Sequence, residues 1–310
     1  MALSNLTKRI LFSVVAVPVV LFLMWLGDIW FVTAIMLIAA ITLEEYYRFA
    51  RIKSGATVGI PAYIANGLII GSFYFYLTAG SLVGMFLVPF LVLMLFTAII
   101  NITSLFKKKG TALLGNGASV AGLSIISLSF MSFVGIREFD AVYQAMVESN
   151  NVVTGINNAH LIGFTEATGY EAKQWGFWFL AAMFAGIWGT DTGAYFVGKA
   201  IGKRPLFKRV SPGKTWEGAI GGSIIGLAGW LAVIYFFLPE FPMLHAVILG
   251  LLIVILGQFG DLYESLLKRD AGVKDSSNII PGHGGVYDRL DSLVFVLPVV
   301  FTYMVLLTAR

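Results

Sequence analysis

Long apolar runs dominate the chain and fall at about residues 10–27, 29–47, 58–77, 80–104, 118–136, 175–198, 217–238, 243–263 and 291–308. About 20 apolar residues are needed for a helix to cross the hydrocarbon core of a bilayer. Strands of a membrane barrel would alternate polar and apolar residues, so the unbroken runs favour helices. Composition agrees, since 58% of the residues are hydrophobic and only 12% are charged. The sequence predicts an all-α, polytopic integral membrane protein with about nine transmembrane helices.

The basic residues fall mainly on one side of these predicted spans. Nine spans place the termini on opposite sides, and with a cytoplasmic N-terminus the inner segments hold 18 Lys and Arg against 3 outside. Cytoplasmic loops of membrane proteins carry such an excess. The first run is interpreted as a retained span, because no small-x-small cleavage site follows it. We therefore expect a multi-pass protein of the inner, cytoplasmic membrane of the cell.

Polar residues are distributed unevenly along the chain. Residues 1–136 hold five spans with few polar positions and are interpreted as a membrane scaffold. Residues 137–174 form a polar extracytoplasmic segment, in which a short amphipathic helix is expected near 140–148. Residues 175–310 hold four spans and most of the polar motifs, so this region is expected to be catalytic, with its site on the cytoplasmic side. The absence of cysteine excludes thiol nucleophiles and cysteine-based metal sites.

The motif "GTDTGAYFVGK" places Asp191, Tyr195 and Lys199 on one face of the sixth span. An acidic side chain inside a span is costly and rarely faces lipid, which makes Asp191 a candidate for a functional site. The alternative is a structural hydrogen bond to a neighbouring helix.

The motif "KRPLFKRVSPGKTWEG" places Ser211, Lys214 and Thr215 just before the seventh span. Its "GKT" is similar to the end of a phosphate-binding P-loop, but Lys208 stands where that pattern needs glycine, and no strand is expected before it. The free N–H groups and dipole of a helix N-terminus nevertheless favour anions. Phosphate binding is the favoured interpretation, and a basic loop that serves topology or lipid headgroups is the alternative.

Carboxylates flank the loop between the last two spans, which contains "PGHGG" at residues 281–285 and is called the glycine-rich loop. Asp261 ends the eighth span, and Asp288 and Asp291 are spaced i, i+3 at the start of the ninth. Carboxylates brought together repel one another unless a cation lies between them. Oxygen ligands fit Mg²⁺, whereas zinc is disfavoured without cysteine, and a positioning role is favoured for His283. The glycines of this loop would let backbone approach a phosphate closely.

Residues 265–291 resemble the signature of the CDP-diacylglycerol synthases, also called phosphatidate cytidylyltransferases. The matching positions are Ser265, Lys268, Arg269, Lys274, Asp275, Pro281, His283, Gly284, Gly285, Asp288, Arg289 and Asp291. The stretches "DTGAYFVGK" and "SPGKTWEG" also resemble this family, so the similarity covers about residues 185–310. The first half is similar only in being several apolar spans, and residues 137–174 are longer than the family leads us to expect.

The resemblance implies a reaction in which CTP and phosphatidate give CDP-diacylglycerol and pyrophosphate. It implies Mg²⁺, alone or with a second cation, and maps the family's metal ligands onto Asp261, Asp288 and Asp291. Lys268 and Arg289 are expected to join these aspartates in catalysis. The residues expected to bind substrate are Asp191, Ser211, Lys214, Thr215, Lys274, Asp275, His283, Gly284 and Gly285. The expected partners are CTP, phosphatidate, membrane lipids and a second copy in a homodimer, with no nucleic acid.

Two other functions stay open at this stage. One is a CTP-dependent transfer to another lipid phosphate, such as an isoprenoid, because the lipid-facing positions are uniformly apolar. The other is a secondary transporter of an anionic solute, which buried acids and glycine-broken spans would suit. Against a transporter, the charges cluster on one side of the membrane and the two halves show no matched repeat.

Overall fold

A computed structural model of the chain describes residues 5–54, 59–105, 112–148, 170–280, 282 and 284–308. These residues form ten helices and two short strands. The helices of the first half are α1 (Asn5–Leu26), α2 (Asp28–Ser54), α3 (Ile60–Thr78), α4 (Leu82–Ser104) and α5 (Ala112–Arg137). The elements that follow are α6 (Phe139–Glu148), α7 (Tyr170–Ile201), β1 (Pro205–Phe207), β2 (Ser211–Thr215), α8 (Trp216–Phe237), α9 (Met243–Ala271) and α10 (Tyr287–Thr308).

The protein is an all-α, multi-pass membrane protein, as the apolar runs predicted. Seven helices of the described chain are long and apolar enough to cross a membrane, namely α2, α3, α4, α5, α8, α9 and α10. In α1, the stretch Val14–Leu26 is a shorter apolar helical segment. The count of nine spans therefore stays a prediction. The predicted helix near 140–148 is confirmed by α6, whereas residues 149–169 lie outside the described part of the chain.

The chain divides into two compact units. The first comprises residues 1–134 and 267–290, and the second comprises residues 135–266 and 291–310. The glycine-rich loop thus belongs with the N-terminal helices, while α9 and α10 each contribute residues to both units. The predicted division at residues 136 and 174 stays a prediction.

In the first unit, the few polar residues of the apolar helices bind one another. The Tyr47 hydroxyl on α2 donates to the carbonyl of Ser119 on α5 at 2.8 Å. The Ser127 hydroxyl on α5 donates to the side-chain oxygen of Asn66 on α3, also at 2.8 Å. A polar group in a lipid-surrounded bundle is costly unless it has a partner, so these bonds fix how α2, α3 and α5 pack.

In the second unit, α7 and α8 pack closely through small residues. A Cβ atom at Gly222 would lie 2.5 Å from the Thr190 carbonyl oxygen, and one at Gly226 would overlap the Thr190 hydroxyl. The four-residue glycine spacing of α8 therefore forms a helix-packing face, as such spacing commonly does in membranes. This packing brings the N-terminal end of α8 beside the C-terminal part of α7.

The segment before α8 is an antiparallel hairpin. Strand β1 pairs with β2, with Pro205 opposite Thr215 and Phe207 opposite Ser211, and the register is irregular between them. The expectation that no strand precedes "GKT" was wrong, because the polar stretch pairs its backbone groups with itself across a tight turn. The hairpin ends where α8 begins, so β2 delivers Lys214 and Thr215 to the helix N-terminus.

Candidate active site

A cleft of about 260 Å³ opens in the second unit at the N-terminus of α8. Three helices and the hairpin line it: α7, α8, α9 and the β1–β2 segment. The lining residues are Asp191, Ala194, Tyr195, Leu206, Gly213, Lys214, Thr215, Gly218, Ala219, Gln258 and Asp261. Five residues singled out in the sequence are therefore brought together here, namely Asp191, Tyr195, Lys214, Thr215 and Asp261.

The start of α8 is fixed by its own residues. Thr215 is the N-cap, and its side-chain oxygen accepts a hydrogen bond from the Gly218 N–H at 3.1 Å. The Glu217 carboxylate accepts from the backbone N–H groups of Lys203 and Arg204 at 3.0 and 3.2 Å. These bonds tie the segment before the hairpin to the first turn of the helix. The helix N-terminus, with its partial positive charge, is thereby held at the wall of the cleft.

Lys214 forms an ion pair with Asp261 of α9 across the cleft. Both side chains are about one-third exposed, at 31% and 29%, so the pair is open to a ligand that enters from the solvent. An exposed ion pair contributes little to folding stability. Its place in a cleft suits a lysine that can exchange its carboxylate partner for a phosphate.

Asp261 has further acidic neighbours. The Asp291 carboxylate interacts electrostatically with Asp261 and Asp191, which repel it, and with Lys214, which attracts it. Gly260 explains how α9 and α10 come so close: a Cβ atom there would lie 2.5 Å from the Asp291 carbonyl oxygen and 3.0 Å from the Cα of Ser292. Any residue larger than glycine at position 260 would therefore force the backbone of α10 at Asp291 and Ser292 to move away.

The charges of this site fit a cation. Three carboxylates, Asp191, Asp261 and Asp291, share one electrostatic neighbourhood with a single lysine. A divalent ion between them would relieve their mutual repulsion, and oxygen ligands of this kind suit Mg²⁺. Within each unit taken by itself, no three acidic or histidine side chains of the described residues already stand as a set of metal ligands. Asp261 and Asp291 are the two acids that the close approach at Gly260 brings together, and water or substrate oxygens would complete a set of ligands.

Gln258 also lines the cleft, and its position was not anticipated from the sequence. Its side-chain amide donates to the Ser223 hydroxyl at 2.8 Å and to the Val254 carbonyl at 3.1 Å. Gln258 thereby joins α9 to α8 one helical turn before Asp261. The only feature of the sequence that could have indicated Gln258 is that it is a polar residue within an apolar run, just before "GDLYES".

In the first unit, Asp288 is the centre of a second polar cluster. Lys268 donates to its Oδ1 at 2.7 Å, and the side chains are 14% and 5% exposed. Its Oδ2 accepts from the Ser276 N–H at 2.9 Å and the Gly285 N–H at 2.7 Å, and it lies 2.9 Å from the Ser276 hydroxyl oxygen. Asp288 therefore holds Lys268, Ser276 and Gly285 together.

Glu45 of α2 was missed by the sequence reasoning. It is only 2% exposed, yet its carboxylate accepts four hydrogen bonds from the loop that contains residues 276–287. The sequence "LEEYYRF" gave one signal, a second acid at the C-terminal end of an apolar run. Nothing in its spacing indicated a partner more than 230 positions away.

The other predicted residues lie around the same loop and the hairpin. Ser211 begins β2, while Lys274, Asp275 and Arg289 are exposed on the first unit. Gly284 has φ +82°, a conformation that other residues rarely adopt. A Cβ atom at Gly285 would overlap Ser276 and Glu45, so this glycine is required by packing. His283 lies outside the described residues.

Comparisons with known proteins give matches along nearly the whole chain. The family model of the cytidylyltransferase family matches residues 7–307. A phosphatidate cytidylyltransferase of Bacillus subtilis is 33% identical, over 97% of this chain and 98% of its own length. Proteins of the same name from Haemophilus influenzae and a Synechocystis strain are 31% and 34% identical. They align over 94% and 97% of this chain, and over 96% and 97% of their own lengths.

Proposed function

Because the chain belongs to the cytidylyltransferase family, we propose that it transfers the cytidylyl group of CTP to phosphatidate. The products are CDP-diacylglycerol and pyrophosphate, and the enzyme is a nucleotidyltransferase of phospholipid biosynthesis. The observation that carries this assignment is the cleft of the second unit. It combines a helix N-terminus, Lys214 and the acids Asp191 and Asp261, which are the kinds of group that a polyphosphate and its cation need.

For this reaction the protein needs mainly to bind the two substrates and to offset their negative charge. A phosphate oxygen of phosphatidate attacks the α-phosphorus of CTP, and the bond from that phosphorus to the bridging oxygen of the β-phosphate breaks. Both electrons of that bond leave with pyrophosphate. The attacking phosphate is already ionised at neutral pH, so no general base is required. Lys214 and the N–H groups at the start of α8 offset the negative charge that otherwise keeps two anions apart.

Asp261 and Asp291 are the proposed Mg²⁺ ligands in the second unit. When bound, Mg²⁺ would neutralise and orient the phosphates of CTP. Asp288, which the family resemblance also implies as a ligand, lies in the first unit and stays a prediction, as does a second cation. The homodimer that the resemblance implies likewise stays a prediction.

Assay of the purified protein with labelled CTP and a panel of lipid phosphates tests the substrate. We expect label to pass to phosphatidate in preference to an isoprenoid phosphate. Preferred labelling of the isoprenoid would shift the assignment to the related enzyme class. CTP binding with no labelled lipid, together with solute uptake into proteoliposomes, would favour the transporter.

For topology, we propose the cell membrane as location, with the N-terminus and the glycine-rich loop on the cytoplasmic side. Two exposed positions test this in a chain without native cysteine, Asn278→Cys in the loop and Glu240→Cys between α8 and α9. The thiol at position 240 should react with an impermeant reagent in intact spheroplasts, and the thiol at 278 only after lysis. The reverse order of labelling would overturn the orientation, which rests on the distribution of Lys and Arg.

A further inference from the structure

The buried carboxylate of Glu45 has no part in the chemistry described so far. We infer that Glu45 is a positioning residue, which holds Ser276, Ser277, Val286 and Tyr287 in place and thereby sets the orientation of the Lys268–Asp288 pair. This inference rests on the proposed function, because it gives the Lys268–Asp288 pair a use in the transfer reaction. The four contacting residues and Asp288 all belong to the first unit.

Each of the four donors to Glu45 comes from the loop and its junction with α10. Oε1 accepts from the Ser277 hydroxyl at 2.5 Å and the Val286 N–H at 3.1 Å. Oε2 accepts from the Ser276 hydroxyl at 2.8 Å and the Tyr287 N–H at 2.6 Å. The donors lie in two stretches, residues 276–277 and 286–287, so one carboxylate binds both stretches.

Ser276 connects these contacts to Asp288. Its hydroxyl lies 2.8 Å from the Glu45 carboxylate and 2.9 Å from the Asp288 carboxylate, and its backbone N–H donates to Asp288 at 2.9 Å. Arg48, one turn after Glu45 on α2, donates to the Ser276 carbonyl at 2.9 Å. Any movement of Ser276 away from α2 would therefore remove donors from Asp288 as well.

The geometry favours positioning over a purely structural role. The Glu45 carboxylate binds backbone N–H groups and hydroxyls of two stretches close to Asp288, and one of these residues, Ser276, also contacts Asp288 directly. Gly285, where a Cβ atom would overlap Glu45, shows that the loop backbone lies directly against the carboxylate. Release of the loop would leave α2 intact and Asp288 misplaced.

Glu45→Gln is the variant that tests this inference. A glutamine keeps the size of the side chain, but its NH₂ group would face two of the four donors. The matched control is Glu44→Gln, because the neighbouring Glu44 is exposed and binds Arg51 and Tyr63 rather than the loop. We expect kcat to fall about 10- to 100-fold in the Glu45 variant, the range for loss of one or two charge-assisted bonds. The Glu44 variant should stay within about twofold of the parent protein.

A readout of the loop itself separates positioning from loss of folding. Ile280→Cys, at a buried loop position, reports the loop, and Val296→Cys, at a buried position of α10 in the second unit, reports the fold. In detergent without substrate, the thiol at 280 should react about 10- to 100-fold faster with Glu45→Gln than with Glu44→Gln, since protected sites react through local opening. The thiol at 296 should stay protected in both.

The outcomes decide between the possible roles. An unchanged rate at position 280, or faster labelling there without a fall in kcat, would overturn the inference. If the thiol at 296 also becomes reactive, Ser277→Ala, which removes one donor and keeps the carboxylate, replaces the glutamine variant. It should raise the rate at 280 and lower kcat by about 3- to 10-fold, and no change in either would overturn the inference. A parent protein without transferase activity would contradict the proposed function, whereas the labelling would still report whether Glu45 holds the loop.

Discussion

Asp261→Asn is expected to abolish nearly all cytidylyl transfer while the protein still inserts and folds. Asparagine keeps the shape of the side chain but removes the charge that pairs with Lys214 and is proposed to bind Mg²⁺. The same result is expected for Asp291→Asn and, from the family resemblance, for Asp288→Asn. An acidic cluster kept for structure alone would tolerate these changes, because asparagine relieves repulsion at similar volume.

The control for this series is Asp270→Asn. Asp270 lies on α9 like Asp261, but it is exposed. Its variant should keep near-normal turnover at equal amounts of folded protein. Retention of more than about a tenth of normal activity by the Asp261 and Asp291 variants, a loss below 1.4 kcal/mol in the barrier, would reject these two residues as metal ligands. Asp191, which borders the same cleft, would then be the next residue to test.

Removal of divalent cations is expected to abolish transfer as completely as the aspartate substitutions. EDTA should stop the reaction, and Mg²⁺ in excess of the chelator should restore it, because the acids of the cleft would otherwise repel the phosphates of CTP. Rates across a Mg²⁺ titration, with the folded fraction followed in parallel, measure the effect. A chelated protein that retains full turnover would contradict the metal assignment for every residue at once.

The membrane class and the main elements of the cleft could be predicted because they depend on local rules. Runs of about 20 apolar residues specify spanning helices. A costly acid within a span and a basic stretch before one indicated Asp191 and Lys214, and the cleft brings both together. The four-residue glycine spacing of α8 is a local pattern of the same kind, and α7 packs closely against it.

What could not be predicted depends on contacts between distant segments. Glu45 binds residues that follow it by more than 230 positions, and no periodicity in either segment indicates that pairing. The hairpin before α8 was missed because its polar residues show no alternation. Asp261, Asp288 and Asp291 were predicted as one cluster from their places at the ends of two spans. The structure describes Asp261 with Asp291 in the second unit, and Asp288 with Lys268 and Ser276 in the first.

The fate of the individual phosphates of CTP is the most direct test of cytidylyl transfer to phosphatidate. Purified protein in mixed micelles with phosphatidate and Mg²⁺ would receive CTP labelled at the α-phosphate in one reaction and at the γ-phosphate in another. Cytidylyl transfer predicts that the α label moves into the lipid fraction while an equal amount of γ label is recovered as pyrophosphate. Appearance of the γ label in lipid, or of neither label, would contradict it.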